Sequence, residues 1–220
     1  MYRSDFKDHS VSIDQFTPEA IKEIETQSIK HKSYIPIKRV LDILFFLVLL
    51  IPSVILILLF GILIKLDSKG PVFFNQERVG LNMKCFKAYK LRSMVHSQHY
   101  QGPEFTELGD RRITRVGKFI RRFRIDELPQ IFNVLLGHMS FIGPRPLAQY
   151  EYKFSHPIFE KRTIVKPGIT GLAQVEGGND FTNLEKFKYD MKYIKEMSFL
   201  TDLKLVFETI GVIISGKGSR

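Results

Sequence analysis

The apolar residues of this chain are spread unevenly. Residues 43–64 are hydrophobic almost without interruption, Pro52, Ser53 and Gly61 being the exceptions. About 22 helical residues at about 1.5 Å each are just long enough to cross the hydrocarbon core of a bilayer. Pro52 stands in the middle of the run, where it removes a backbone hydrogen bond and bends a helix. Lys38 and Arg39 precede the run, and Lys65 and Lys69 follow it, so the positive-inside tendency gives no direction across the membrane. Placing both flanks on one side satisfies that tendency better. By length alone the block reads as a simple transmembrane anchor, whereas its proline and its flanks favour a segment that enters the membrane and returns, bent at Pro52 and Ser53. A carbonyl freed at depth needs a partner, and the Ser53 hydroxyl is one.

Beyond this block the periodicity changes. Asp67-Ser-Lys-Gly-Pro71 is a turn cluster, and two runs rich in Phe, Val and Tyr follow at 72–79 and 84–91, joined by Gly80-Leu-Asn-Met. They predict a β-hairpin. Residues 94–110 lose all pattern around Gly102-Pro103 and read as a mobile loop. In 111–124, Ile113, Val116, Phe119 and Ile120 have helical spacing among seven basic residues, which predicts a basic amphipathic helix. A second helix is predicted from Leu128, Ile131, Phe132 and Leu135, with Asp126 as its N-cap, Pro129 in its first turn and Gly137 closing it. Residues 172–175 look strand-like. From Asn183 the chain reads as helical, with Phe187, Met191 and Ile194 on one face and Leu200, Leu203, Val206, Phe207 and Ile210 on another. Residues 18–25 predict a short surface helix in a polar leader, and with that leader before it and no small-residue cleavage pattern after it the apolar block does not read as a cleaved signal peptide.

Charge narrows the partner. The formal net charge of +10 requires something anionic: nucleic acid, lipid or a phosphorylated substrate. Cys85 is the single cysteine of 220 residues, which excludes an internal disulfide and a zinc site built on several thiolates. A basic helix alone fits a lipid surface or a polyanion. Asp126-Glu127, directly after the basic run, changes that picture. An acidic pair opening a helix often serves only as a cap. Beside so many arginines, however, its carboxylates are expected to have lowered pKa values and stay ionised, and an ionised carboxylate can ligate Mg²⁺ or attack phosphorus. Gly143-Pro-Arg-Pro146 holds Arg145 on a stiff stem suited to bidentate phosphate binding. Lys90 and Arg92, two apart at the end of the second strand run, are expected to face one side. A nucleic-acid binder explains the charge but neither the acidic pair nor this loop.

In this order along the chain, these segments resemble a family. Lys38-Arg-Val-Leu-Asp42, residues 65–80, residues 86–94, Asp126-Glu-Leu-Pro-Gln-Ile-Phe-Asn-Val-Leu135, Met139-Ser-Phe-Ile-Gly-Pro-Arg-Pro146 and residues 166–175 together are similar to the bacterial sugar transferases, the monotopic polyprenyl-phosphate phosphoglycosyl transferases. The resemblance implies an α+β, mainly helical fold. It would consist of a polar leader (1–37), a re-entrant membrane helix (38–66), and a catalytic domain (67–220) with a β-hairpin and amphipathic interfacial helices at the cytoplasmic face of the bacterial inner membrane. It implies transfer of a sugar-1-phosphate from a UDP-sugar to polyprenyl phosphate, with Mg²⁺ and without nucleic acid. Asp126 would be the nucleophile and, with Glu127, hold the metal. Lys90, Arg92, Arg121, Arg145, Lys166, Gly168, Thr170 and Gln174 would bind substrate, and Pro52-Ser53 would form the membrane bend. Three departures stand out. Gly178 replaces an arginine usual in the family, His138 replaces an aspartate, and Pro52-Ser53 reverses the usual order.

Overall fold

The computed structural model describes residues 16–95, 110–153 and 156–215. The elements run α1 (Pro18–Lys30), α2 (Tyr34–Asp67), β1 (Phe73–Val79), β2 (Cys85–Leu91), α3 (Arg115–Arg122), α4 (Gln130–Leu135), β3 (Ser140–Ile142), α5 (Gln149–Lys153), β4 (Gly168–Thr170), α6 (Leu172–Glu176), α7 (Asn183–Glu196) and α8 (Phe199–Ser215). The fold is mainly helical, with an antiparallel hairpin, as the resemblance implies. Most of the loop expected at 94–110 lies outside the described residues.

The apolar block forms α2, which among the described residues is the one helix long and apolar enough to cross a membrane. Pro52 lies inside it, so the carbonyl four residues earlier lacks its helical donor. Both halves of α2 are tied to the same body. At the N-terminal end Lys38 pairs with Asp202 of α8, and Arg39 donates to the Val134 and Leu135 carbonyls at 2.5 and 2.7 Å. Asp42 accepts from Ser140 Oγ at 2.9 Å and from Phe141 N at 3.0 Å. At the C-terminal end Asp67 accepts from Val116 N at 3.0 Å, and Phe60 stacks on Phe119 at 5.8 Å. Between these anchors Leu47, Val48, Leu49 and Ile51 are exposed, while Ser53 is buried.

β1 and β2 pair in register from Phe73↔Leu91 to Val79↔Cys85, close to the sequence boundaries. The parallel pair β3–β4 (Ser140↔Gly168, Ile142↔Thr170) has no counterpart in the sequence pattern, because strands of three residues carry too little alternation to read. Residues 172–175, expected as a strand, are helical in α6. The strand lies just before them, and Gly171 separates the two. The basic helix is shorter than the periodicity suggested. Ile113 bridges Met94 instead, and Thr114 caps α3 by accepting from Gly117 N at 2.9 Å.

The main core gathers around α7, which opens with a reciprocal Thr182–Glu185 capping box. Phe187, Met191 and Ile194 are fully buried, on the face the spacing predicted. α8 follows as a separate helix. It turns Leu205 inward and leaves Phe199, Leu200, Phe207, Ile210 and Ile214 exposed, an apolar stripe of the kind that lies in a lipid interface.

Candidate active site

The site is built on an abrupt turn. α3 ends at Arg122, and Arg124 then takes left-handed backbone angles (φ 55°, ψ 23°), which cost a non-glycine residue roughly 1–2 kcal/mol. This reversal starts a 3₁₀ turn, Ile125–Glu127, in which Glu127 N donates to the Arg124 carbonyl at 3.1 Å. The chain then enters α4 through Pro129. Asp126 was expected to cap α4. It stands instead one turn earlier, and its side chain makes no cap. Its carboxylate is therefore not spent on backbone.

Glu127 draws in the surrounding cations. Lys90 Nζ at the end of β2 donates to Glu127 Oε1 at 2.8 Å, and Arg145 Nη2 donates to the same oxygen at 3.0 Å. Both carboxylates are buried, at 8% and 7% exposure. Arg145 arrives from the loop after β3, and Gly168 sets that loop's position. Gly168 N donates to the Pro144 carbonyl at 2.9 Å, and a Cβ at Gly168 would lie 2.1 Å from Gly143 N. No other residue allows β4 to come so close.

Two adjacent acids thus end in opposite states. Burial pushes Asp126 up to about 6, and the negative charge of Glu127 adds to the rise, while Lys90, Arg121 and Arg145 oppose it. Burial acts on Glu127 as well. There the Lys90 and Arg145 charges outweigh it and hold the carboxyl well below its usual range. The sequence argument, which expected both acids to be depressed by nearby arginines, is corrected for Asp126: its neighbour takes the direct ion pairs. At neutral pH Asp126 is still mostly ionised, desolvated, and free of any hydrogen bond or ion pair among the described residues.

The other residues singled out from the sequence divide into groups. Arg121 stands near both acids and donates from Nε to Ser93 Oγ at 3.0 Å. Arg92 is buried and takes different partners from Lys90. It donates to the Ser68 carbonyl at 2.8 Å and to the Lys69 carbonyl, so it caps the end of α2. Lys166 lies beside Arg39 near Gly137, on the α2 side of the body. Thr170 Oγ1 meets Thr209 Oγ1 of α8 at 2.9 Å, while the Thr170 carbonyl accepts from Gly143 N at 2.9 Å. Gln174 is buried, and neither polar atom of its amide meets a partner among the described residues. Sequence reasoning missed Asn133. It donates to the Lys87 carbonyl at 2.8 Å and accepts from Tyr89 N at 3.0 Å, pinning the β2 edge next to Lys90. The available signal was a lone amide inside the apolar stretch of α4.

Among the described residues no group of three or more His, Cys, Asp or Glu could hold a metal ion. Two acids are nevertheless enough for Mg²⁺, which commonly takes one or two carboxylates and completes its shell with substrate phosphates and water. The sequence pattern of the bacterial sugar transferases matches residues 33–216. The chain belongs to that family. It is 45% identical over 196 residues to a UDP-N-acetylgalactosamine-undecaprenyl-phosphate N-acetylgalactosaminephosphotransferase of Aeromonas hydrophila, covering 85% of this chain and 46% of that protein. It is 40% identical over 202 residues to the galactosyl transferase CpsE of Streptococcus agalactiae, covering 86% and 44%. Against the exopolysaccharide production protein PSS of Rhizobium leguminosarum the identity is 39% over 195 residues, covering 83% and 98%. The chain thus spans less than half of the first two relatives and nearly all of the third.

Proposed function

We propose that this bacterial sugar transferase moves a sugar-1-phosphate from a UDP-sugar to a polyprenyl phosphate in two steps. An Asp126 carboxylate oxygen attacks the β-phosphorus of the UDP-sugar. The bond from that phosphorus to the bridging oxygen breaks, and UMP leaves. The phosphosugar remains as an acyl phosphate on Asp126. An oxygen of the lipid phosphate then attacks the same phosphorus, the acyl oxygen leaves, and Asp126 is restored as the polyprenyl diphosphate sugar departs. The observation that carries this reading is the unequal sharing of cations: Glu127 takes Lys90 and Arg145, leaving Asp126 buried, ionised and unpaired. Glu127 in turn keeps Lys90 and Arg145 beside the reacting phosphates.

Asp126 and Glu127 would hold Mg²⁺, which when bound offsets the charge of the diphosphate and of the developing leaving group. The anchoring of both halves of α2 supports a re-entrant course. A straight helix of 34 residues would be about 51 Å long, and one such helix crossing a bilayer would carry its ends to opposite faces. Here both ends hold one body, and exposed apolar residues, Leu47, Val48, Leu49 and Ile51 among them, lie between. With α8 lying in the interface, the site faces the cytoplasm, where UDP-sugars are made.

The sugar is open, and UDP-N-acetylgalactosamine is the first to test because a relative acts on it. Purified protein mixed with a panel of UDP-sugars and no lipid is expected to release UMP in a burst no larger than the enzyme concentration. The protein should gain one sugar-phosphate, mapped to Asp126, and Asp126→Asn should lose both. EDTA should stop the burst and Mg²⁺ restore it. UMP that appears only with lipid present, with no adduct, would instead mean direct attack by the lipid phosphate.

A further inference from the structure

One cation of the turn makes no direct bond to either acid, although its charge is felt by Glu127. Arg124 holds left-handed backbone angles that glycine and asparagine adopt readily and long side chains rarely do. Its backbone role, accepting from Glu127 N at 3.1 Å, is one that any residue supplies. Nothing in the turn therefore calls for an arginine. The side chain is partly buried, and among the described residues its guanidinium makes no hydrogen bond and no ion pair. Glu127 and Asp126 attract it and Arg145 repels it, so it sits among the groups of the site, not out on the surface of α3.

The neighbouring cations are engaged. Lys90 and Arg145 are bound to Glu127, and Arg121 to Ser93 Oγ. Each has already committed a donor, to Glu127 or to Ser93, and keeps only the rest for a substrate oxygen. Arg124 has committed none among the described residues. A guanidinium carries five donors in a fork matched to phosphate, and here the fork is partly withdrawn from water yet unfilled. The strained backbone points the same way, since left-handed non-glycine residues cluster at sites where a ligand is held.

We propose that Arg124 is a phosphate-binding residue of the site, and that it closes on the incoming phosphate oxygens while Arg145 and Lys90 stay on Glu127. This rests on the transfer reading above. The phosphate is either the diphosphate of the UDP-sugar or the lipid phosphate, and the test separates the two.

Two variants carry the test. Arg124→Asn keeps a residue that tolerates left-handed angles and removes the charge, while Arg124→Lys keeps the charge and loses the fork. For each, lipid-free UMP release, lipid-dependent turnover, calorimetric binding of inorganic pyrophosphate, and the thermal midpoint are compared with the unchanged protein. Arg124→Asn is expected to raise one KM roughly tenfold or more, the worth of a charge-assisted hydrogen bond, with Arg124→Lys in between. Its thermal midpoint should be unchanged or higher, because strain is relieved. A raised UDP-sugar KM in the lipid-free reaction, with weaker pyrophosphate binding, assigns the contact to the diphosphate. A raised KM for polyprenyl phosphate alone assigns it to the lipid. Unchanged KM values and unchanged pyrophosphate binding overturn the proposal, as does lost activity that tracks a lower midpoint and is not recovered by lysine. If the unchanged protein releases no UMP from any UDP-sugar, the transfer reading fails by itself. Pyrophosphate binding then still decides for or against Arg124.

Discussion

Two regions of this molecule bury carboxylates against cations, and they divide the charges differently. In the core, Asp190 of α7 pairs with Arg162, with side chains 1% and 3% exposed. One acid meets one base, and the pair is closed. In the turn between α3 and α4, two acids meet Lys90 and Arg145, and both cations go to Glu127. Burial raises Asp190 and Asp126 alike, each to about 6. Only Asp126 lacks a direct partner. A direct one-to-one pair holds structure, whereas uneven sharing leaves one acid without a partner and makes the other the holder of positive charge. The two regions meet behind the Arg145 loop, where Arg162 lines a small cavity with Gly80, Pro144 and Pro146.

The largest expected effect separates the two regions outright. Asp190→Asn strands the Arg162 guanidinium in the core, and breaking a buried pair on one side costs about 3–5 kcal/mol. That variant should show a much lower thermal midpoint and poor yield. Asp126→Asn removes an acid whose charge no ion pair offsets directly, so its midpoint should hold or rise while UMP release disappears. If Asp190→Asn were as stable as the unchanged protein, or Asp126→Asn were badly unfolded, the contrast between a closed structural pair and an open chemical one would collapse.

Much of this arrangement was legible in the sequence, for reasons that differ by residue. The long apolar block, the hairpin and the buried face of α7 announce themselves through periodicity, because each spans enough residues for the pattern to repeat. Asp126, Glu127 and Arg145 were legible from local chemistry and from the order of their motifs. What escaped depends on contacts between distant segments. Arg92 caps the end of α2 because the chain folds back 24 residues to reach Ser68, and no spacing reveals that. The strand pair β3–β4 is too short to alternate, so residues 172–175 took the strand assignment that belongs to Gly168–Thr170. The direction of the Asp126 shift was misjudged because proximity to arginines in sequence does not say which acid they bind. Arg124 was one of seven basic residues until its backbone angles set it apart.

A smaller effect tests whether Arg145 acts as a fork or as a point of charge. Arg145 donates to Glu127 from Nη2, which leaves the rest of its guanidinium for phosphate. Arg145→Lys keeps the charge and loses the planar geometry, worth roughly 1.5–3 kcal/mol if one charge-assisted bond is lost. A fall of about tenfold to a hundredfold in kcat/KM follows, with the thermal midpoint little changed. Equal kinetics for the lysine variant would reduce Arg145 to a counter-charge for Glu127, making the open region as closed as the Arg162–Asp190 pair.

The smallest effect lies in pH, where the two acids of the turn pull in opposite directions. Asp126 ionises near 6 in the folded chain and near its ordinary value of 3.8 when unfolded. Between these values the native state keeps a proton that the unfolded state has released, so this group's contribution to stability falls as pH rises from about 4 to about 6. Asp190 contributes with the same sign, since it too is raised to about 6 by burial. Glu127, held low by Lys90 and Arg145, does the reverse: its contribution is present above its unfolded value and is lost as pH falls. Thermal midpoints measured from pH 4 to 7 should therefore fall less steeply in Asp126→Asn than in the unchanged protein, because the declining contribution of Asp126 is gone. Activity sharpens the comparison, because Asp190 should have no part in it. If Asp126 is the nucleophile proposed above, only its ionised form attacks phosphorus, so the rate of the lipid-free burst should drop about tenfold per pH unit below about 6 and level off above it. A burst rate flat down to pH 4.5 would mean that the cations outweigh burial at Asp126 as they do at Glu127, and that the two acids of the turn are alike.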